Sequence, residues 1–291
     1  MELIEPTAHD VAAPVSPPKA NGRRPIVVYD SGVGGLTVAS CISRHLPTHD
    51  LVYVADNGWF PYGDKPESDL QRRVLQVIDK VTKAVHPAAI MVACNTASTA
   101  IVHRLSRPSL VPLEGVLPPI REALLLSRTG RIALLATPGT LQRAAIRGVL
   151  AEFKGRGLIA SHGSLELVRA AERKLAGHAV DPQQLARYFD ETWLGAAERR
   201  LIDVVILGCT HFPHLKDELR VAFPGVHHWV DPAAMAAQSL AKRVHHSPLS
   251  RQAQIAPHHR LLLTSSHNGA ELADIFAAAG FGGDYGKEEA A

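Results

Sequence analysis

The sequence predicts an α/β fold of two pseudo-symmetric lobes, each a mostly parallel sheet flanked by helices, with the active site at the lobe interface. Three observations carry this expectation. Short, unbroken apolar runs alternate with amphipathic stretches, the pattern of repeated β-α units. The order of features recurs coarsely: a strand leading to Asp30-Ser31-Gly32-Val33-Gly34-Gly35 and later one leading to Cys94, then a strand leading to Ala136-Thr137-Pro138-Gly139-Thr140 and later one leading to Cys209. Finally, Ala93-Cys94-Asn95-Thr96 and Gly208-Cys209-Thr210-His211 each close a run rich in branched residues, as strands covered on both faces do.

Taken in order, the expected strands are 26–29, 51–54, 89–93, 131–136, 158–160, 204–208, 228–230 and 261–264, each a brief apolar run bounded by turn formers or charge. Helices fall between them. The plainest begins at Asp181-Pro182, where Asp181 can cap the exposed amides and Pro182 suits the first helical position. Residues 1–24, with prolines at 6, 14, 17 and 18, are expected to be a disordered extension, and 281–291 a flexible tail. The first lobe is expected to comprise 25–117 plus 232–280 and the second 118–231. The Pro-rich segment 108–119 would form the outward hinge, and the chain near Asp231-Pro232 the return.

Composition narrows the function classes. The 291 residues, 46% hydrophobic, support full cores, and 31 basic against 28 acidic side chains leave a net charge of +3, too slight and dispersed to suggest a nucleic-acid partner. No run is long and apolar enough for a secretory signal or a membrane span, so a soluble, cytoplasmic protein is expected. Three cysteines do not suggest a disulfide framework. Cys41, within Leu36–Ile42, reads as the buried side of a helix. The 16 histidines include adjacent pairs, but none has zinc-site spacing, and Pro213 interrupts His211-Phe212-Pro213-His214; no metal and no cofactor are expected.

The two remaining thiols point to acid–base chemistry. In an open parallel sheet, ligands collect beyond the carboxyl ends of the strands, which is where both sulfurs stand. A free thiol titrates near about pH 8.5, so a modest local push lets one sulfur take a proton while another supplies one. Singly, either cysteine reads first as a small buried hydrophobe; their matching settings reverse that preference toward the chemical reading. The glycine turn after Asp30 lacks the third glycine of a dinucleotide loop, since Thr37 occupies that place, and no P-loop lysine follows. It nevertheless lets backbone approach a ligand, with Asp30 and Ser31 at the cleft. Pro61-Tyr62-Gly63 sits in a loop able to close over a small polar molecule. Asn95, Thr96 and Thr210 supply donors beside the sulfurs, and His211 and Glu172 could assist proton transfer at Cys209.

These pieces, together with Ala136-Thr137-Pro138-Gly139-Thr140 and Gly208–Pro213, resemble the cofactor-independent glutamate racemases of the aspartate/glutamate racemase superfamily, in the same order and at similar intervals from 26 to about 270. The resemblance implies interconversion of L- and D-glutamate to supply D-glutamate for peptidoglycan. It implies that Cys94 takes the α-proton from D-glutamate and Cys209 from L-glutamate, with Asp30 beside the first thiol and His211 beside the second. Glu172 assists there. Ser31, Pro61, Tyr62, Gly63, Asn95, Thr96, Thr137, Thr140 and Thr210 match substrate-binding positions, and a homodimer is expected. The chain departs from the family pattern in three places: Ser161-His162-Gly163-Ser164 lacks a Cys-Pro pair, Arg169-Ala170-Ala171 replaces a Pro-Leu-Val core, and Glu114 stands at a usually aliphatic position. An aspartate or related amino-acid racemase, or a catalytically silent amino-acid-binding protein, is the alternative.

Overall fold

The computed structural model describes residues 24–107, 109–153, 158–245 and 256–282. Within them lie nine strands: β1 (Ile26–Asp30), β2 (Leu51–Ala55), β3 (Ala89–Val92), β4 (Leu113–Gly115), β5 (Arg131–Ala136), β6 (Leu158–Gly163), β7 (Val204–Gly208), β8 (His228–Val230) and β9 (Arg260–Leu263). They form two sheets, ordered β4-β3-β1-β2-β9 and β6-β5-β7-β8, with every pairing parallel. Read from one side, β2-β1-β3-β4 and β6-β5-β7-β8 have the same topology, the structural form of the recurrence in the sequence.

Burial on both sides explains why the strands read as unbroken apolar runs. In the first sheet, Ile26 and Val28 pack with Val38, Ile42 and Leu240 on one face. Their neighbours Val27 and Tyr29 pack with Leu70, Val74 and Val77 on the other. The second sheet divides the same way, Ala133, Leu135, Val205 and Leu207 facing Phe189 and Leu219, and Ile132, Leu134, Val204 and Ile206 facing Ile120 and Ile146. Alternation of side chains along a strand distributes each run between two layers of helix. Asp181 caps its helix as expected, accepting from Gln183 N–H at 2.8 Å with Pro182 at the first position.

Three expectations are corrected. The segment 108–119 is not a plain hinge: β4 lies inside it and pairs with β3, Ile90 opposite Leu113 and Val92 opposite Gly115. Three residues directly after Pro112, one of them charged and one glycine, leave no apolar run to recognise, and the strand is made by its neighbour. Glu114 accordingly turns toward the covering Ala233–His245 helix, accepting from Ser239 Oγ at 3.0 Å and Arg243 Nη1 at 3.2 Å and tying the sheet edge to it. At the far end, Phe281 is buried against Tyr53 and Phe276, and Gly282 bridges Arg260, so the chain stays packed beyond the expected start of the tail. Strand β6 also runs on to Gly163, pairing with Ala136. The extension 1–23, Pro108 and 283–291 lie outside the described residues. No described helix is long and apolar enough to cross a membrane.

Candidate active site

Four strands deliver the site from their carboxyl ends. In the first sheet β1 ends at Asp30, and β3 leads into Cys94 at the start of the Asn95–Ala100 helix. In the second, β5 leads to Thr137 and β7 to Cys209. Thr137 caps the Pro138–Gln142 helix, its hydroxyl accepting from Thr140 N–H at 3.3 Å. Asp30, Ser31, Cys94, Asn95, Thr96, Thr137, Thr140, Cys209, Thr210 and His211 are all buried.

Contacts between the lobes hold these strand ends face to face. Thr210 Oγ1 donates to Asp30 Oδ2 at 3.1 Å. Thr96 from one sheet and Thr137 and Thr140 from the other form a hydroxyl triangle with edges of 2.9, 3.0 and 3.2 Å. Gly139 N–H donates to Gly63 carbonyl at 2.8 Å. A side chain at Gly34 would bring its Cβ within 2.5 Å of His211 Nδ1, so this turn approaches the opposite lobe only because it has none.

The two thiols have different neighbours. Cys94 Sγ lies 3.8 Å from Ser31 Oγ, next to Asp30. Burial pushes this thiol up to about 12, the Asp30 carboxylate adds to the rise, and the Ala97 amide and Ser31 oppose it. Asp30 itself is raised to about 6 by burial, against the attraction of His211 and hydrogen bonds from Gly32 N–H and Thr210. Cys209 Sγ lies 3.8 Å from His211 Nδ1, and the other ring nitrogen, Nε2, is 2.5 Å from Glu172 Oε1. Burial disfavours the imidazolium, yet hydrogen bonds and charge from Cys209 and Glu172 outweigh it and hold His211 well above its ordinary range. An acid attends one sulfur and an imidazole–carboxylate pair the other.

The structure thus gathers Asp30, Ser31, Cys94, Thr96, Thr137, Thr140, Cys209, Thr210, His211 and Glu172. Asn95 joins them, its amide nitrogen donating to Val116 carbonyl at 3.1 Å while Oδ1 is buried with no partner among the described residues. The Pro61-Tyr62-Gly63 loop, entered through a cis Phe60-Pro61 peptide, contributes differently. Gly63 touches the second lobe, but the Tyr62 hydroxyl is engaged with Tyr29 and Asp56. Asp56 was not singled out by sequence reading. It is buried and accepts from Arg73 Nε at 2.9 Å, Arg73 Nη2 at 2.6 Å and Thr264 Oγ1 at 2.5 Å, anchoring the loop beneath the site. Its only sequence signal is a carboxylate directly after an apolar strand. Phe60 was also missed; its ring centroid lies 5.8 Å from that of His211. Cys41 lies in the core of the first lobe, its sulfur accepting from Arg44 Nη2 at 3.0 Å. Among the described residues, no group of three or more His, Cys, Asp or Glu side chains is arranged to hold a metal ion.

Residues 36–240 match the family model described as Asp/Glu/Hydantoin racemase. Glutamate racemase from Sodalis glossinidius is 36% identical over 263 residues, 89% of this chain and 90% of that protein. Glutamate racemase from Shewanella sp. strain MR-4 is 41% identical over 197 residues, 68% of this chain and 71% of that one. Among solved structures, Escherichia coli glutamate racemase in complex with L-glutamate and the activator UDP-MurNAc-Ala superposes with a TM-score of 0.78 at 34% identity, covering 89% of this chain and 97% of that one. A glutamate racemase isoform from Bacillus anthracis superposes with a TM-score of 0.73 at 29% identity, covering 91% and 98%.

Proposed function

The chain belongs to the Asp/Glu/hydantoin racemase family and, within it, to the glutamate racemases, and from that premise we propose that it interconverts L- and D-glutamate by exchanging a proton at two opposed thiols. With D-glutamate, Cys94 as thiolate takes the α-proton, the α-carbon–hydrogen bond breaks, and Cys209 delivers its thiol proton to the opposite face of the carbanion. With L-glutamate the roles reverse. The observation that supports this reading most is the pair of thiols at the carboxyl ends of β3 and β7, in two sheets whose strand ends meet through Thr210 and Asp30.

The electrostatics suit such an exchange. Burial and Asp30 keep Cys94 protonated when nothing else is present, and a substrate ammonium beside it offsets both effects. The His211–Glu172 pair stands beside Cys209, where it can take or hold a proton. Proton transfer by positioned groups is worth about 10²–10⁴-fold, so the remaining acceleration comes from oriented donors in a water-excluded cleft. Ser31, Asn95, Thr96, Thr137, Thr140 and Thr210 supply the polar lining of that cleft, with Pro61, Tyr62 and Gly63 closing one side. The two lobes separate to admit substrate, breaking the Gly139–Gly63 contact. No cofactor takes part. The enzyme acts in the cytoplasm as a homodimer and supplies D-glutamate for peptidoglycan.

The test is incubation of the purified protein with each glutamate enantiomer in deuterium oxide, without added pyridoxal phosphate or metal. Optical rotation should decay to zero from either side while deuterium enters the α-position. Absence of both signals at high enzyme concentration overturns the proposal, and faster turnover of aspartate reassigns the substrate.

A further inference from the structure

The Glu166–Leu175 helix carries Glu172, and its amino-terminal end is held by a hydrogen-bond chain outside the reacting groups. Ser164 leaves β6 with its N–H donating to Ala136 carbonyl at 3.0 Å. Its hydroxyl oxygen accepts from Leu167 N–H at 3.1 Å, satisfying an amide that the helix start leaves free. The same oxygen accepts from Tyr188 Oη at 2.7 Å, and Tyr188 in turn lies 3.0 Å from His162 Nε2. His162 is buried, stacked on Trp193 with centroids 5.1 Å apart and 27° between planes; burial lowers its pKa, so the neutral ring can donate from Nε2. At the other end of the helix, Lys174 Nζ pairs with Glu218 at 2.7 Å. Glu172 sits between these two anchors.

We infer that Tyr188 is a positioning residue for the racemase site, acting through Ser164 and the Glu166–Leu175 helix to hold Glu172 against His211. From Leu167 to Glu172 the helix rises about 7.5 Å, a span short enough to behave as a rigid lever. Release of its amino-terminal end moves the carboxylate whose oxygen stands 2.5 Å from the imidazole beside Cys209. A serine hydroxyl thus secures this helix start. The inference rests on the two-thiol reading of the site.

The experiment compares Tyr188→Phe, Ser164→Ala and Ser164→Thr with the unmodified enzyme, measuring kcat, KM and the α-deuterium isotope effect for each enantiomer. Loss of one oriented hydrogen bond should lower kcat about fivefold in Tyr188→Phe and Ser164→Ala with little change in KM. The isotope effect should rise for L-glutamate, whose proton goes to Cys209, more than for D-glutamate. Ser164→Thr, which keeps the hydroxyl, should restore kcat. Unchanged kcat and isotope effects in the first two variants overturn the inference, as does a lower kcat with isotope effects unmoved. Turnover by the unmodified enzyme, read alongside, separates failure of this inference from failure of the racemase reading.

Discussion

Thr210 donates a 3.1 Å hydrogen bond to Asp30 across the boundary between the two sheets, from a residue adjoining Cys209 to the carboxylate beside Cys94. The surroundings of each sulfur are therefore completed by the other half of the chain. The first thiol feels Cys209 and Asp30, and Asp30 feels His211 and Glu172. A change at any one of these groups should register at the others.

Replacing Cys94 or Cys209 with serine should abolish racemisation in both directions, with a loss of at least about 10²-fold, because each direction needs one sulfur as base and the other as acid. Cys41→Ser should alter only thermal stability, since that sulfur packs in the first core. Polarimetry with each enantiomer, alongside thermal melts, checks all three.

Asp30→Asn should trade activity for stability. Folding raises this carboxyl from 3.8 to about 6, so the folded protein retains a proton that the unfolded chain releases. The stability this contributes is complete below pH 3.8 and disappears as the pH climbs through about 6. Above that the buried carboxylate costs about 3 kcal/mol. Asp30→Asn should melt higher than the unmodified protein near neutral pH, with the gap closing on acidification, while its turnover falls. Melting curves across pH decide it.

Glu172→Gln should bring His211 down toward its ordinary range, because the variant removes a charge that supports the imidazolium while burial still opposes it. The alkaline limb of the rate profile should move to lower pH. Titration of the His211 ring by nuclear magnetic resonance should show the same displacement, and a fixed titration would refute it.

Arg73→Ala should destabilise the protein by about 3–5 kcal/mol, since it strands the buried Asp56 carboxylate. Arg73→Lys should recover only part of this, because a single ammonium cannot reproduce the two-point contact at 2.9 and 2.6 Å. Chemical denaturation measures both. If Asp56 anchors the Pro61-Tyr62-Gly63 loop as the geometry indicates, KM should rise in each variant.

Much of this protein is decided locally and is readable along the chain. A short, unbroken branched run bounded by turn formers reads as a strand covered on both faces, and the residue after such a run then stands at the carboxyl edge of a parallel sheet. Asp30, Cys94, Thr137 and Cys209 were therefore placed at strand ends by their neighbours alone. β4 escaped because its three residues have no pattern of their own; pairing with β3 creates it. Glu172 and His211, 39 positions apart, meet at 2.5 Å only because the Glu166–Leu175 helix packs over the end of β7. Asp56 with Arg73, and Glu114 with Arg243, likewise acquire meaning from partners that sequence proximity does not supply. Local pattern sets which edge a side chain occupies, whereas hydrogen-bond distance and burial, and with them the ionisation of each sulfur's neighbours, depend on how two separately formed sheets close on one another.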